Sequence, residues 1–535
     1  MNKKNGVHSI LEVLDHSSIY SILIISALIS ALSLVVPIAA QTLINLVAFG
    51  KLLQPVIILS IIVFVLMTGM GILGIWQTVI IEIIQQKLMV RISLNLAKHF
   101  THLSPVIFST HNGPELVNRY FEIMIINKAL ASLLLYGIAL GLQMIFGLIL
   151  LIFYHPLFLL FDAFIIISLL LTIFIPYRQA LNSAKQECAE KHVIGAWLEE
   201  ILINRYLFKF NDYPRYVMEQ TDKRLVGFLK ARNVHFKQLI RHQIGLYGLV
   251  AMASSLLLGL GGYLIINNQL SLGQLVASEI VLGTLMYGFK RLGALLENYY
   301  DLIASAEKID FALNLPLENN HNQETADNLL PSLKNIHLEF ENILLQPMNA
   351  EASPVNPLVL YFKQEDSCRN FIESLAGLKE TLSAKIVLNH IPCTQNTLIA
   401  LRRFSLLIRE PQWFAGTIYQ NLVLNHRNIA TEFIFELLRK INLLEKIMAC
   451  PDGLNTYVND WQTIFTLSQL IQLMIIRAII DKPRLLIIDR SLDKLLDEEI
   501  NVILSLLLAL DNTTLVITTL KPQMQQLPNR LVFSL

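Results

Sequence analysis

Six long apolar stretches, at 17–45, 54–82, 129–153, 157–176, 243–266 and 274–298, constrain this chain more than anything else in it. Each can cross the roughly 30 Å of a bilayer's hydrocarbon as a helix rising about 1.5 Å per residue. With 54% hydrophobic and 16% charged residues the chain is too apolar for an ordinary soluble protein, and 535 residues exceed one domain. A multi-pass protein embedded in the lipid bilayer follows. Lys and Arg (42) nearly balance Asp and Glu (41), so nothing in the net charge points to nucleic acid. The first stretch is too long and begins too late for a cleaved leader, and it has no small-residue cleavage site. It reads as a retained helix, with about sixteen residues before it, too few for a folded domain upstream.

The connections alternate in length. Those at 49–54, 154–156 and 267–273 are brief and hold only Lys51, whereas 83–128 and 177–242 are long and polar. The second long one carries twelve Lys and Arg residues, from Arg178 to Arg241. Positive charge stays on the inner side, so the long connections and the N-terminus, with Lys3 and Lys4, face the cytoplasm. Away from the ends of the stretches stand the carboxylates Asp162 and Glu279. Either they line a cavity or they lie close enough to the interface to stay hydrated. Gly69, Gly71 and Gly74 mark either close helix packing or the general frequency of glycine in membrane helices. Cys188, Cys368, Cys393 and Cys450 show no metal-ligand spacing; they read as free thiols, and no metal site is expected.

Beyond the sixth stretch the texture changes. The sixth helix runs on through 303–313, a polar Asn- and Glu-rich tract follows, and short strand-like and helical runs begin near 334. The layout is a membrane domain at 1–312, a linker at 313–333 and a second domain at 334–535. Strands are expected at 337–341, 358–362 and 384–388, and a helix at 370–378. Leu470, Leu473, Ile476 and Ile480 recur at helical spacing until Asp481-Lys482-Pro483 ends the helix. The apolar run 485–488 then reads as a parallel strand buried on both faces, closed by Asp489. A carboxylate at the C-terminal end of such a strand is where an α/β sheet offers a magnesium or phosphate site.

Several motifs, in the right order against this pattern, resemble those of ABC exporters. HNGPELVNR at 111–119, with Glu115 and Arg119, is similar to the G-E-L-x-x-R stretch of the first intracellular loop. Trp197-Leu198-Glu199-Glu200, followed by Phe208-Lys209, is similar to the second loop's E-x-L and I-K-x, and LSLGQLVA at 270–277 to L-T-x-G-x-L-V-A. Together with PIAAQ at 37–41, the style most resembles the bacterial type I secretion and peptide-exporter branch. The resemblance implies a six-helix α-helical transmembrane domain of type I exporter architecture, followed by an α/β P-loop-NTPase-like domain. It further implies short coupling helices at the loop ends, residence in a bacterial inner membrane with the second domain cytoplasmic, and a dimer with a second half-transporter, homo- or heteromeric.

The second domain keeps the family's frame and loses its chemistry. Counting back from Ala376-Gly377-Leu378 places FKQEDSCRN (362–370) at the P-loop pattern G-x-x-x-x-G-K-S-T. Phe362 and Ser367 stand for its glycines, Cys368 for the lysine, Arg369 for the magnesium-binding hydroxyl and Asn370 beside it. A P-loop needs glycines to form a nest of N–H groups around phosphate and a lysine to neutralise it. Glu365 and Asp366 would repel phosphate, and Arg369 reads as a solvated surface arginine. Arg409 replaces the Q-loop glutamine in REPQWFAGTI. Phe465-Thr466-Leu467-Ser468-Gln469 stands for L-S-G-G-Q, with side chains at both glycine positions. Asp489 keeps the Walker B aspartate, while Arg490 replaces the catalytic glutamate and Thr519 the switch histidine. The offsets of 24 residues from Phe465 to Asp489 and 30 from Asp489 to Thr519 fit the family.

Losing lysine, metal-binding hydroxyl, glutamate and histidine together leaves no hydrolytic mechanism, so no catalytic residue and no resident cofactor are expected. ATP and magnesium would enter only through a site completed by a partner. The leading reading is an inactive exporter subunit beside an ATPase-competent half. The alternatives are a membrane scaffold or regulatory homodimer, a drifted copy without function, and an ATP-driven exporter with atypical motifs. Drift is opposed by the intact apolar patterning of both halves, which random change would have broken with many charges in the spans.

Overall fold

The structure, a computed structural model, describes residues 16–49, 53–109, 113–318, 336–341, 350–362, 365–379, 385–393, 395–424, 429–521 and 530–533. The chain divides into two compact units, Met1–Leu317 and Glu318–Leu535. Most of the expected linker, 319–335, lies outside the described residues.

In the first unit, among the described residues, six helical stretches are long and apolar enough to cross a membrane. Helices α1 (His16–Leu32) and α2 (Val35–Phe49), joined by a tight turn, make the first; α3 (Leu53–Thr101) is the second. The third combines α4 (Gly113–Asn118), α5 (Glu122–Ser132), a π-helical turn at Leu133–Gly137 and α6 (Ile138–Tyr154). Helices α7 (Phe158–Ile203), α8 (Tyr213–Ile266) and α9 (Leu272–Leu313) complete the set. A helix satisfies its own backbone in lipid, which is why these sequences take no other form. At about 1.5 Å per residue the 54-residue α8 measures roughly 80 Å, so the long polar connections are largely continuations of helices beyond the apolar stretches.

Polar side chains between these helices find partners. Gln77 donates to Ser26 Oγ (2.9 Å), Ser30 to the Ala139 carbonyl (3.2 Å) and Asn298 to Ser132 Oγ (2.9 Å). Asp162 is 3% exposed and neither of its carboxylate oxygens has a hydrogen-bond partner, whereas Glu279 is only partly buried. Of the two readings of the α3 glycines, close packing is not seen within this chain. A Cβ added at Gly69, Gly71 or Gly74 would meet nothing within 4 Å, whereas one on Gly273 would lie 2.6 Å from Asn45 Oδ1 and 3.0 Å from the Gln41 carbonyl. Close approach belongs instead to glycines such as Gly273, at the start of α9 facing α2, and Gly245 and Gly288, which face Thr172 and Leu140.

The second unit contains two sheets. Strands β1 (Leu338–Glu341), β2 (Ala350–Ala352), β4 (Lys385–Leu388) and β5 (Ile391–Pro392) form an antiparallel sheet in the order β2-β1-β4-β5. Strands β3 (Leu358–Phe362), β6 (Ser405–Ile408), β9 (Leu485–Asp489), β10 (Thr514–Thr519) and β11 (Arg530–Phe533) form a parallel sheet in the order β11-β3-β10-β9-β6. A short hairpin pairs β7 (Gly416–Thr417) with β8 (Tyr457–Val458). Alternation assigns the faces of β9. Leu485 and Ile487 pack with Phe371 and Ile372 of α10 (Glu365–Leu375), and Leu486 and Ile488 with Ile471 and Ile475 of α11 (Leu467–Asp481). The expected helix at 370–378 is thus corrected: it begins by Glu365. It ends where Gly377 adopts φ +64° and the N–H groups of Gly377 and Leu378 return to the carbonyls of Ser374 and Glu373.

Candidate functional site

The parallel sheet gathers most of the expected site residues at the C-terminal ends of its strands. Asp489 closes β9 and is 4% exposed. Thr518 of β10 sits opposite it in register and donates its hydroxyl to Oδ1 (2.8 Å). Arg409 follows β6, whose Ile408 pairs with Ile488, and donates Nε to Oδ2 (2.5 Å). From α10, Cys368 donates its thiol to Oδ1 (3.4 Å). Cys368 is fully buried, and burial pushes its thiol up to about 12, so it stays protonated as a donor. Arg490, held at φ +54°, brings its Nε to 4.0 Å from Oδ1.

A second carboxylate completes a chain of charges. Glu373 accepts from Arg409 Nη1 (3.1 Å) and lies 3.6 Å from Arg369 Nε, its i,i+4 neighbour on α10. Ser491 fixes the Arg409 backbone by donating to its carbonyl (2.8 Å). Asp489, Arg409 and Glu373 therefore form an alternating anion–cation–anion row, with the buried carboxylate at its inner end.

The P-loop position is altered in its backbone as well as its side chains. The pattern requires four residues between its glycines, yet β3 ends at Phe362, on the first glycine position, and the helix has begun by Glu365, before the second at Ser367. Only 363–364 separate strand from helix, and these, with the side chains of Phe362 and Ser367, lie outside the described residues. Arg369 is well exposed and Asn370 accepts from Lys379 Nζ (2.7 Å). At the switch position Thr519 is hydrogen-bonded to Asp493, whose other oxygen accepts the Leu520 N–H (2.8 Å).

The signature-like residues are occupied with holding their own helix. Thr466 is the N-cap of α11: its hydroxyl accepts from the Gln469 N–H (3.3 Å), and Gln469 Oε1 accepts from the Thr466 N–H (3.1 Å), a reciprocal capping box. Lys446 also donates to Gln469 Oε1 (2.6 Å), and Ser468 to Glu499 (2.7 Å). Phe465 is buried against Trp461, and Leu467 is exposed. Thr466→Ala should cost about 1 kcal/mol, read as a lower denaturant midpoint at unchanged slope. An unchanged midpoint would refute the capping role.

In the first unit the two loop motifs meet. Asn118 hydrogen-bonds Glu199, and Arg119 pairs with Glu115 (3.0 Å) and places its guanidinium 4.0 Å from the centre of the Phe311 ring. Glu200 accepts from Asn204 (3.2 Å). Asp162 and Glu279 lie in this unit, apart from the Asp489 cluster. Glu373, Thr518 and Asp493 escaped the sequence reading. The i,i+4 spacing of Arg369 and Glu373 was a usable signal; the pairing of Thr518 with Asp489 depends on register.

The family model described as ABC transporter transmembrane region matches residues 19–288. The alpha-hemolysin translocation ATP-binding protein HlyB of Escherichia coli O157:H7 is 26% identical over 300 residues, 53% of this chain and 41% of that protein. The leukotoxin export ATP-binding protein LtxB of Aggregatibacter actinomycetemcomitans is 25% identical over 304 residues, with the same coverage of 53% and 41%. The chain thus spans about two fifths of the length of these relatives. A solved structure of a bacterial Atm1-family ABC exporter with ATP bound shares the fold, with a TM-score of 0.80 at 14% identity, over 97% of this chain and 94% of that one.

Proposed function

Because this chain belongs to the family of ABC transporter transmembrane regions, we propose that it is one half of an exporter-type transporter whose own cassette no longer turns over ATP. The observation that carries this reading is the engagement of Asp489. A magnesium ion takes oxygen ligands at about 2.0–2.1 Å. Here the Asp489 oxygens are bonded to Arg409, Thr518 and Cys368, and a guanidinium offers only donors. The residues around it do not fit a nucleotide with its metal, so no catalytic step is routed through them.

On this reading the chain supplies six helices to a dimer in a bacterial inner membrane, with its long connections on the cytoplasmic side. The other half brings an intact cassette and holds ATP with its own P-loop. The meeting of Asn118 with Glu199 supports a preserved intracellular framework able to follow the partner's motion.

Titration calorimetry with Mg-ATP on the chain purified alone should give no Mg²⁺-dependent heat. Micromolar binding that vanishes in Asp489→Ala would overturn the silent cassette. Co-purification should recover a complete ABC half-transporter whose ATPase activity persists in the pair; recovery of a homodimer alone would instead favour a scaffold.

A further inference from the structure

Beyond the ends of the apolar stretches, the first unit buries a mixed cluster that the transport reading does not use. Glu122 of α5 is 3% exposed. Cys188 and His192 stand four residues apart on one face of α7. One ligand atom from each of the three lies within 4.8 Å of the others. Glu122 Oε1 is 3.2 Å from His192 Nε2, and Oε2 is 3.9 Å from Cys188 Sγ. Ligands bonded tetrahedrally to zinc at about 2.0–2.3 Å are separated by roughly 3.3–3.8 Å, so both spacings are close to what one ion requires. His192 Nε2 is buried against that carboxylate, with which it pairs in the empty state.

We propose that Glu122, Cys188 and His192 bind one thiophilic divalent cation, with zinc as the test ion. The fourth position is open to water. Ser305 of α9 donates to Glu122 Oε2 (2.6 Å) and orients the carboxylate, as outer hydrogen bonds do at metal sites. Lys191 Nζ, 2.6 Å from Glu122 Oε1, neutralises the carboxylate in the empty state. Its side chain is 42% exposed, so the ammonium can swing to solvent when the ion enters. Binding releases the Cys188 thiol proton to solvent; Zn²⁺ then faces one carboxylate, one thiolate and one neutral imidazole, a neutral set. The ion joins α5 to α7 by replacing the His192 and Cys188 contacts to Glu122 with bonds to one metal.

The test uses the full chain in detergent, stripped with chelator, reloaded with Zn²⁺ and desalted for metal analysis, with Co²⁺ as a spectroscopic substitute. About one ion per chain and a thiolate-to-cobalt charge-transfer band are expected. Both should survive Cys450→Ser, whereas Cys188→Ser should remove the band and weaken Zn²⁺ affinity at least about tenfold. Lys191→Ala, which removes the competing cation, should tighten it. Absence of the band in the unaltered chain, which requires no variant to fold, overturns the proposal. So does a metal content indifferent to Cys188→Ser.

Discussion

Arg409→Gln is expected to destabilise the cassette by about 3 kcal/mol, although it restores the residue that the family's Q-loop carries. Asp489 is 4% exposed, and its Oδ2 accepts the Arg409 Nε–H at 2.5 Å. Removing one partner of a buried pair leaves an uncompensated charge, which costs about 3–5 kcal/mol; the low end applies because the Arg409 side chain retains some exposure. Glu373 would lose its Arg409 contact as well, leaving the partly exposed Arg369. Chemical denaturation of the chain in detergent, followed through the cassette tryptophans Trp413 and Trp461, reads the change. Adding Asp489→Asn should recover most of it, because the stranded charge is then gone, and the double-mutant cycle isolates the pair. A single variant as stable as the unaltered chain would show that the row of charges does not hold the site together.

Restoring the family residues at four positions, with Cys368→Lys, Arg409→Gln, Arg490→Glu and Thr519→His, should leave Mg-ATP hydrolysis at background. The missing element is backbone. Only 363–364 lie between β3 and α10, so the helix occupies positions that a phosphate nest would need. Cys368 is fully buried, and a lysine there brings extra methylenes into a packed site, at about 1–3 kcal/mol, besides an ammonium that must compete for Asp489. A phosphate-release assay decides the matter, with denaturation run alongside to show that the variant is folded. Turnover in the fourfold variant that disappears with Asp489→Ala would mean that side chains alone had silenced the cassette.

The membrane architecture was legible because lipid demands a continuous apolar length, and residues 54–82 or 157–176 could hardly be anything else. The strands 358–362 and 485–488 were equally readable, being buried on both faces. The start of α10 was not. Glu365 and Asp366 were read through the P-loop frame as part of a loop, whereas acidic residues in a first helical turn suit the helix dipole. The same frame located Asp489, Arg409 and Cys368 but not their mutual contacts, since Arg409 reaches Asp489 only through the pairing of β6 with β9. Thr466 and Gln469 were read as remnants of the signature. Their capping box shows a structural reason for their presence that is independent of nucleotide. Gly69, Gly71 and Gly74 could not be decided from sequence, because composition does not say which face of α3 meets a neighbour.

The guanidinium against Asp489 differs from a metal in one further respect. A bound ion is exchanged with solution, and its occupancy rises and falls with the concentrations around it. The Arg409 guanidinium is tethered to its own backbone through three methylenes, at a fixed effective concentration that no chelator and no fall in cellular energy charge can lower. On the proposed reading, a cassette wired in this way carries no information about nucleotide supply. Any rhythm the chain follows would have to be imposed from outside it.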